Sequence, residues 1–340
     1  MIKVLYSVDE VSDMIKHGAR LLLAGDETVL SQLPTGNWVA GTSPYFMGDN
    51  GGETSKEKIM VTQLPEYVTE TSIKTYDRQS IASIYSDIPA NGFGFLIIPA
   101  FTEIHMSFAI NAPDFPGFTT KPLLGWVSGV LLDDLGKTTP KVINGKTGEK
   151  IEDRALMMAV TLPADKLADI RMLNIFKQGT GDSIVFTVDG FEVTQVIVDG
   201  KSMNFADYLV EKSIDTRLPL VADYSGAGIN ISIKSIDKEK KSVSFYAPVF
   251  KDVQYRFAQP VDQYFQEFMT QVLIDDYAEF SSSNTANQKT MLFSCNCILN
   301  YLYSNLEGMR TGDMVGPITF GEIAYQLLNQ TLVYLTIHSI

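Results

Sequence analysis

Seven residues near the end of the chain, Thr331 to Ile337 (TLVYLTI), constrain the fold more than any other stretch. They are rich in β-branched and aromatic side chains and far too short to cross a bilayer, so they read as a strand. A strand apolar on both faces needs cover on both sides. The expectation is a final strand inserted into an existing sheet, whose removal would unfold this part of the molecule. Just upstream, GPITFGEIAYQLLNQ reads as a turn at Gly316-Pro317 followed by an amphipathic helix. Glu322 would then sit in the first turn, where a carboxylate satisfies exposed backbone N–H groups and the positive end of the helix dipole.

With 340 residues, 45% of them hydrophobic and 20% charged, the chain is globular and forms one large or two medium domains. A net charge of -13 repels phosphate backbones and anionic lipid, which argues against nucleic acid and membrane surfaces as partners. Asp9, Glu10, Asp13 and Lys16 interrupt the apolar residues of the N-terminus before a signal-peptide core could form. A cytoplasmic location is expected. The two cysteines, Cys295 and Cys297, share one face of a strand, a poor geometry for a disulfide, and no Cys or His cluster accompanies them.

Along the first half, the pattern predicts a helix over 9–18, a strand over 20–24 and a helix of about eight residues from the Asp26 cap to Pro34. Strand then turns through NWVAGTSPYFM, and GDNGGETSK reads as a loop. Two extended runs follow (KIMVTQL and EYVTETSIKTY), then a helix near 78–87, the buried strand GFGFLIIPA and a helix from Thr102 to Ile110. A further strand, PLLGWVSGVLL, precedes a hairpin at Asn144-Gly145 and the strand RALMMAVTLP. Pro163 and the polar segment after it place a boundary near 165, giving domains 1–165 and 166–340.

The second half begins as an antiparallel meander turning at Asp189-Gly190 and Asp199-Gly200. A helix near 204–213 and a charged-tip hairpin in INISIKSIDKEKKSVSFYAPV come next. Val261, Tyr264, Phe265, Phe268, Met269, Val272 and Leu273 recur at helical spacing and predict a long helix, followed by the polar loop SSSNTANQ. TMLFSCN reads as a buried strand and CILNYLYSNL as a helix. The fold class is therefore α+β: two associated sub-domains with largely antiparallel sheets packed with helices.

Catalytic constellations are scarce. His105 shares a helix face with Phe101, Ile104 and Phe108, which suits a core imidazole as well as a haem or metal ligand, and no partner ligand is recognisable. The acid pairs Asp26-Glu27, Asp133-Asp134 and Asp275-Asp276 are sequence neighbours that point apart instead of converging on a cleft. The glycine-rich stretches lack the Gly-Lys-Ser/Thr ending of a phosphate loop. Cys295 has no histidine partner and reads first as a small buried hydrophobe.

In order, these landmarks resemble the FIST domain. Phe320-Gly321-Glu322 followed by Asn329-Gln330-Thr331 and an apolar strand is similar to the end of that family, and Phe293-Ser294-Cys295 to an upstream strand. VTQVIVDGKSMNFADYL, PLLGWVSGVLLDD and GNWVAGTSPYFMGD also resemble family segments, so the likeness extends over nearly the whole chain. The chain departs from the family at Gly125-Trp126, at Tyr45-Phe46-Met47, and in lacking an arginine between Cys297 and Asn300.

What the resemblance implies is a non-catalytic sensory module that binds a small molecule in signal transduction. Its ligand would sit where GTSPYF, the FSC strand and the Gly321-Glu322 turn meet, contacting Gly41, Thr42, Tyr45, Ser294, Cys295, Gly321 and Glu322. With no kinase, cyclase or DNA-binding segment recognisable, the signal would pass to a separate partner protein. Three alternatives stand beside this reading. One is a haem-binding gas sensor, another is an enzyme acting on a small metabolite through Cys295 or Glu322, and the third is an interaction protein without a ligand.

Overall fold

Several helix starts in this chain are set by short polar caps. In the computed structural model, which describes residues 3–224, 227–261 and 290–340, the first helix is Val8–Lys16. Ser7 and Glu10 form a reciprocal capping box ahead of it, and Val11 and Ile15 are its buried face. Asp26 caps the next helix through the Thr28 N–H, but only Glu27–Leu30 are helical, half the expected length. Thr102 caps Glu103–Asn111 in the same manner. The helix expected near 78–87 is present as a 3-10 helix, Ser80–Asp87. The helix expected beyond Val261 and the polar loop after it lie outside the described residues.

Strands dominate, in five sheets among the described residues. One sheet centres on Leu21–Gly25, which runs parallel to Trp38–Thr42 and antiparallel to Ile59–Gln63. Another centres on Gly92–Pro99, buried at every position, with Leu123–Ser128 parallel on one side and Ala155–Thr161 antiparallel on the other. Helix Glu103–Asn111 forms part of the connection between that parallel pair, as such a pair requires. A third sheet is built on Leu332–Ser339, which lies between Lys166–Leu173 and Thr290–Cys297, antiparallel to both. The expected final strand is thus an inserted one. The remaining two sheets, from residues 184–257, hold the Asp199-Gly200 hairpin, in which both turn residues have positive φ.

Three local expectations fail for identifiable reasons. Residues 322–328 form a hairpin of strands Glu322–Ala324 and Gln326–Leu328, where a helix was expected, and Glu322 is therefore no helix cap. Tyr325 turns the corner at φ 61, and the Tyr85 hydroxyl donates to its carbonyl. The hairpin's first strand continues the sheet beyond Leu123–Ser128, with Glu322 opposite Trp126. GDNGGETSK, read as a loop, contributes strand Gly51–Thr54, because Tyr45–Gly48 offers it an antiparallel partner. Asp189-Gly190 joins no hairpin: Ile184–Val185 pairs with Gln195–Val198 and Gln254–Phe257, while Gly190–Val193 leaves for a different sheet.

The architecture is α+β. Two of its sheets take strands from both sides of residue 165: Tyr45–Gly48 joins the sheet of Leu332–Ser339 through Gly316–Thr319, and the Glu322–Leu328 hairpin extends the sheet of Gly92–Pro99. Where these sheets meet, Trp126 stacks on Phe293 at 5.7 Å and 14°, with the Phe95 ring edge-on to both. Gly41 lies against this cluster so closely that an added Cβ would stand 2.6 Å from Ile97 and 2.8 Å from Trp126 Nε1.

Candidate functional site

The seven residues expected to bind a ligand all lie in the buried interior. Most are occupied with the fold itself. Gly41 makes room for Trp126. Thr42 Oγ1 accepts from the Lys141 N–H at 2.9 Å, and its carbonyl accepts from Gly129. The Tyr45 hydroxyl accepts from the Leu132 N–H, and Ser294 Oγ donates to the Val315 carbonyl. Cys295 Sγ contacts the Gly125 carbonyl at 3.6 Å. The Gly321 carbonyl accepts from Val127 N–H and Thr319 Oγ1. Burial lifts both thiols well above the usual thiol range, so Cys295 and Cys297 are neutral and poor nucleophiles.

Glu322 differs from the other six. It is fully buried, and one oxygen, Oε2, accepts from Thr331 N–H (3.2 Å) and Thr331 Oγ1 (2.8 Å). Oε1 has no partner, and the carboxyl's other polar neighbours are the Cys297 thiol and the Thr319 hydroxyl. Burial outweighs these hydrogen bonds, pushes the acid up to about 8 and leaves it protonated at neutral pH.

Thr331 connects this acid to a larger buried network. Its carbonyl accepts from Cys297 N–H (3.3 Å) and Asn300 Nδ2 (3.4 Å), and Asn300 Nδ2 also donates to Asn296 Oδ1 at 2.9 Å. Gln330, in the left-handed region at φ 48, accepts from Ser232 Oγ on its side-chain oxygen and donates to the Arg217 carbonyl.

Asn300 and Gln330 also face a cavity of about 330 Å³, within the range of small-ligand sites. Phe176, Leu218 and Tyr303 contribute its apolar wall, and Asp215 and Arg217 its charged part. The carboxylate of Asp215 meets the Arg217 guanidinium at 2.7 Å, which holds the acid below its usual range. Asn300 Oδ1 is buried without a partner. None of the seven expected residues lines this cavity. Its polar residues escaped the sequence reading, although two signals were present: Asn300 is the one amide inside the apolar helix Ile298–Tyr303, and Gln330 lies in the Asn-Gln-Thr step.

His105 lies elsewhere. The Phe101 N–H donates to its Nδ1 at 3.3 Å, so the ring proton resides on Nε2, which points away from any polar partner; the ring packs near Phe191 at 5.9 Å. Burial lowers its pKa to about 4. An axial ligand needs a free nitrogen lone pair, and in this tautomer Nε2 has none. Among the described residues, no three His, Cys, Asp or Glu side chains are grouped to hold a metal, and no helix is long and apolar enough to cross a membrane.

A strand-rich α+β protein with a buried acid, an extended amide network and an open polar-apolar cavity is the class these features define. Residues 6–338 match a family of unknown function, DUF6976, and the chain belongs to that family. No curated protein matches it.

Proposed function

We propose that this protein is a non-catalytic sensory module that binds a small molecule in the cavity between Asn300, Gln330 and Arg217 and hands the signal to a separate partner protein. The observation that carries this reading is the cavity itself, about 330 Å³, in which Phe176, Leu218 and Tyr303 stand beside Asp215, Arg217 and Gln330. Neutral thiols and a protonated, enclosed Glu322 support binding over covalent catalysis. The likeness of residues 316–340 to the FIST domain supports the same function. On that likeness, 1–165 and 166–340 are its N- and C-terminal parts, interlocked through their shared sheets.

Ligand occupancy reaches the rest of the fold through Gln330 and Thr331, the turn that leads into strand Leu332–Ser339. A thermal-shift screen of a metabolite library tests the reading. A true ligand at one hundred times its Kd adds about 2.7 kcal/mol and raises Tm by about 4 °C. Leu218→Trp, which fills the cavity from its wall, should abolish the shift. Shifts that survive Leu218→Trp, or a library without a single hit, overturn the proposal.

A further inference from the structure

Strand Glu70–Tyr76 closes one end of the Gly92–Pro99 sheet. It pairs along its whole length with Ala155–Thr161, from Glu70 opposite Thr161 to Tyr76 opposite Ala155, without a bulge. Its other side is bare. Among the described residues, no backbone group of these seven residues bonds outside that pairing. Alternate residues of such an edge direct N–H and C=O groups away from the sheet, where a further strand can take them. The edge strand Gly51–Thr54 is closed differently, because Gly52 accepts from the Gly308 N–H and donates to the Met309 carbonyl.

The side chains suit the addition of a strand. Thr71, Ile73, Thr75 and Tyr76 favour extended backbone, and neither proline nor glycine interrupts the run. Glu70, Ser72 and Lys74 are exposed on one face, and Thr71, Ile73 and Thr75 are half-buried on the other. Lys74 Nζ meets Asp87 Oδ2 at 2.7 Å, which takes one of its three donors.

The order of these residues is self-complementary. In an antiparallel pair with a two-fold axis at Ser72, Glu70 stands opposite the partner's Lys74 and Lys74 opposite the partner's Glu70, both on the exposed face. On the other face Thr71 meets the partner's Ile73. Opposite charges and β-branched side chains directly across from each other are favourable cross-strand pairs. Moving the axis to Ile73 would set Lys74 against the partner's Ser72 and lose both charge pairs, so the charges specify the register.

We propose that Glu70–Tyr76 is a dimerisation edge, at which a second copy of this chain joins the two sheets into one through a Glu70–Lys74 pair on each side of the axis. None of the cavity's residues lies on this strand, so the proposal stands apart from the ligand reading.

Sedimentation velocity of the full chain across the micromolar range tests it, with a reversible monomer–dimer equilibrium expected. Glu70→Lys and Lys74→Glu each replace both charge pairs by like charges and should weaken the dimer at least about tenfold. Mixed together, the two single variants should form a heterodimer, since each supplies the charge the other lacks. The chain carrying both substitutions should recover the homodimer. Both side chains are exposed, and recovery on mixing cannot come from a chain that has failed to fold. A monomer at every concentration, a dimer that ignores both variants, or single variants that stay monomeric when mixed overturns the proposal.

Discussion

Replacing Glu322 by Gln should change how the stability of this protein depends on pH. The folded acid titrates at about 8, against 4.5 for an unburied glutamate. Between those values the unfolded chain releases a proton that the native state retains, so stability falls as pH rises through the window and levels off above about 8. Each pH unit costs about 1.4 kcal/mol, and the whole interval about 5 kcal/mol, an upper figure for a group this enclosed. His105 acts in the opposite sense. Its folded value of about 4 lies below the ordinary 6.5, so the unfolded state takes up a proton first as pH falls, and stability is lost from 6.5 downward. The stretch from pH 6.5 to 8 therefore isolates Glu322 from His105. Urea unfolding midpoints measured across it should show the natural protein losing about 2 kcal/mol and Glu322→Gln almost none. The variant should be the more stable protein at pH 8, because its amide oxygen can still accept from Thr331. Parallel, flat profiles for the two proteins would refute the argument, since they would mean that Glu322 is ionised in the native state or reached by water.

Other expectations follow from packing and access. Gly41→Ala places a methyl group between Ile97 and Trp126, and overpacking of this kind should cost about 1–3 kcal/mol, read as a lower urea midpoint with unchanged slope. Cys295 and Cys297 are both about 1% exposed, so an aromatic disulfide reagent should titrate neither thiol in the native protein and both in urea; rapid native reaction would contradict their burial.

Short-range signals were legible in the sequence, and long-range ones were not. Asp26 and Thr102 capped helices because an N-cap needs only a side chain and an N–H two or three residues on. Asp199-Gly200 made its hairpin because the strands it joins share a sheet; Asp189-Gly190 did not, because Val185 finds its partners at Ile197 and Gln254. Residues 322–328 looked helical from the spacing of Ile323, Leu327 and Leu328. An open edge beside Leu123–Ser128 outweighed that spacing, and a left-handed Tyr325 turned the segment into a hairpin. The set expected to contact a ligand, Gly41, Thr42, Tyr45, Ser294, Cys295, Gly321 and Glu322, is buried in the fold. Its polar atoms are nearly all spent on backbone partners, which no local pattern reveals. The cavity joins Arg217, Asn300 and Gln330 from three distant segments, which no local pattern brings together.

The placement of Leu332–Ser339 carries a consequence for biosynthesis. Its register partners begin with Lys166 opposite Ser339, so the Lys166–Leu173 strand leaves the ribosome long before the strand that covers it. At roughly 5–20 residues per second, that edge waits on the order of ten to thirty seconds with unpaired N–H and C=O groups. Thr290–Cys297 waits a shorter time beside it. This sheet has a high contact order, closes only after translation of its centre, and makes the nascent chain a natural client for a chaperone.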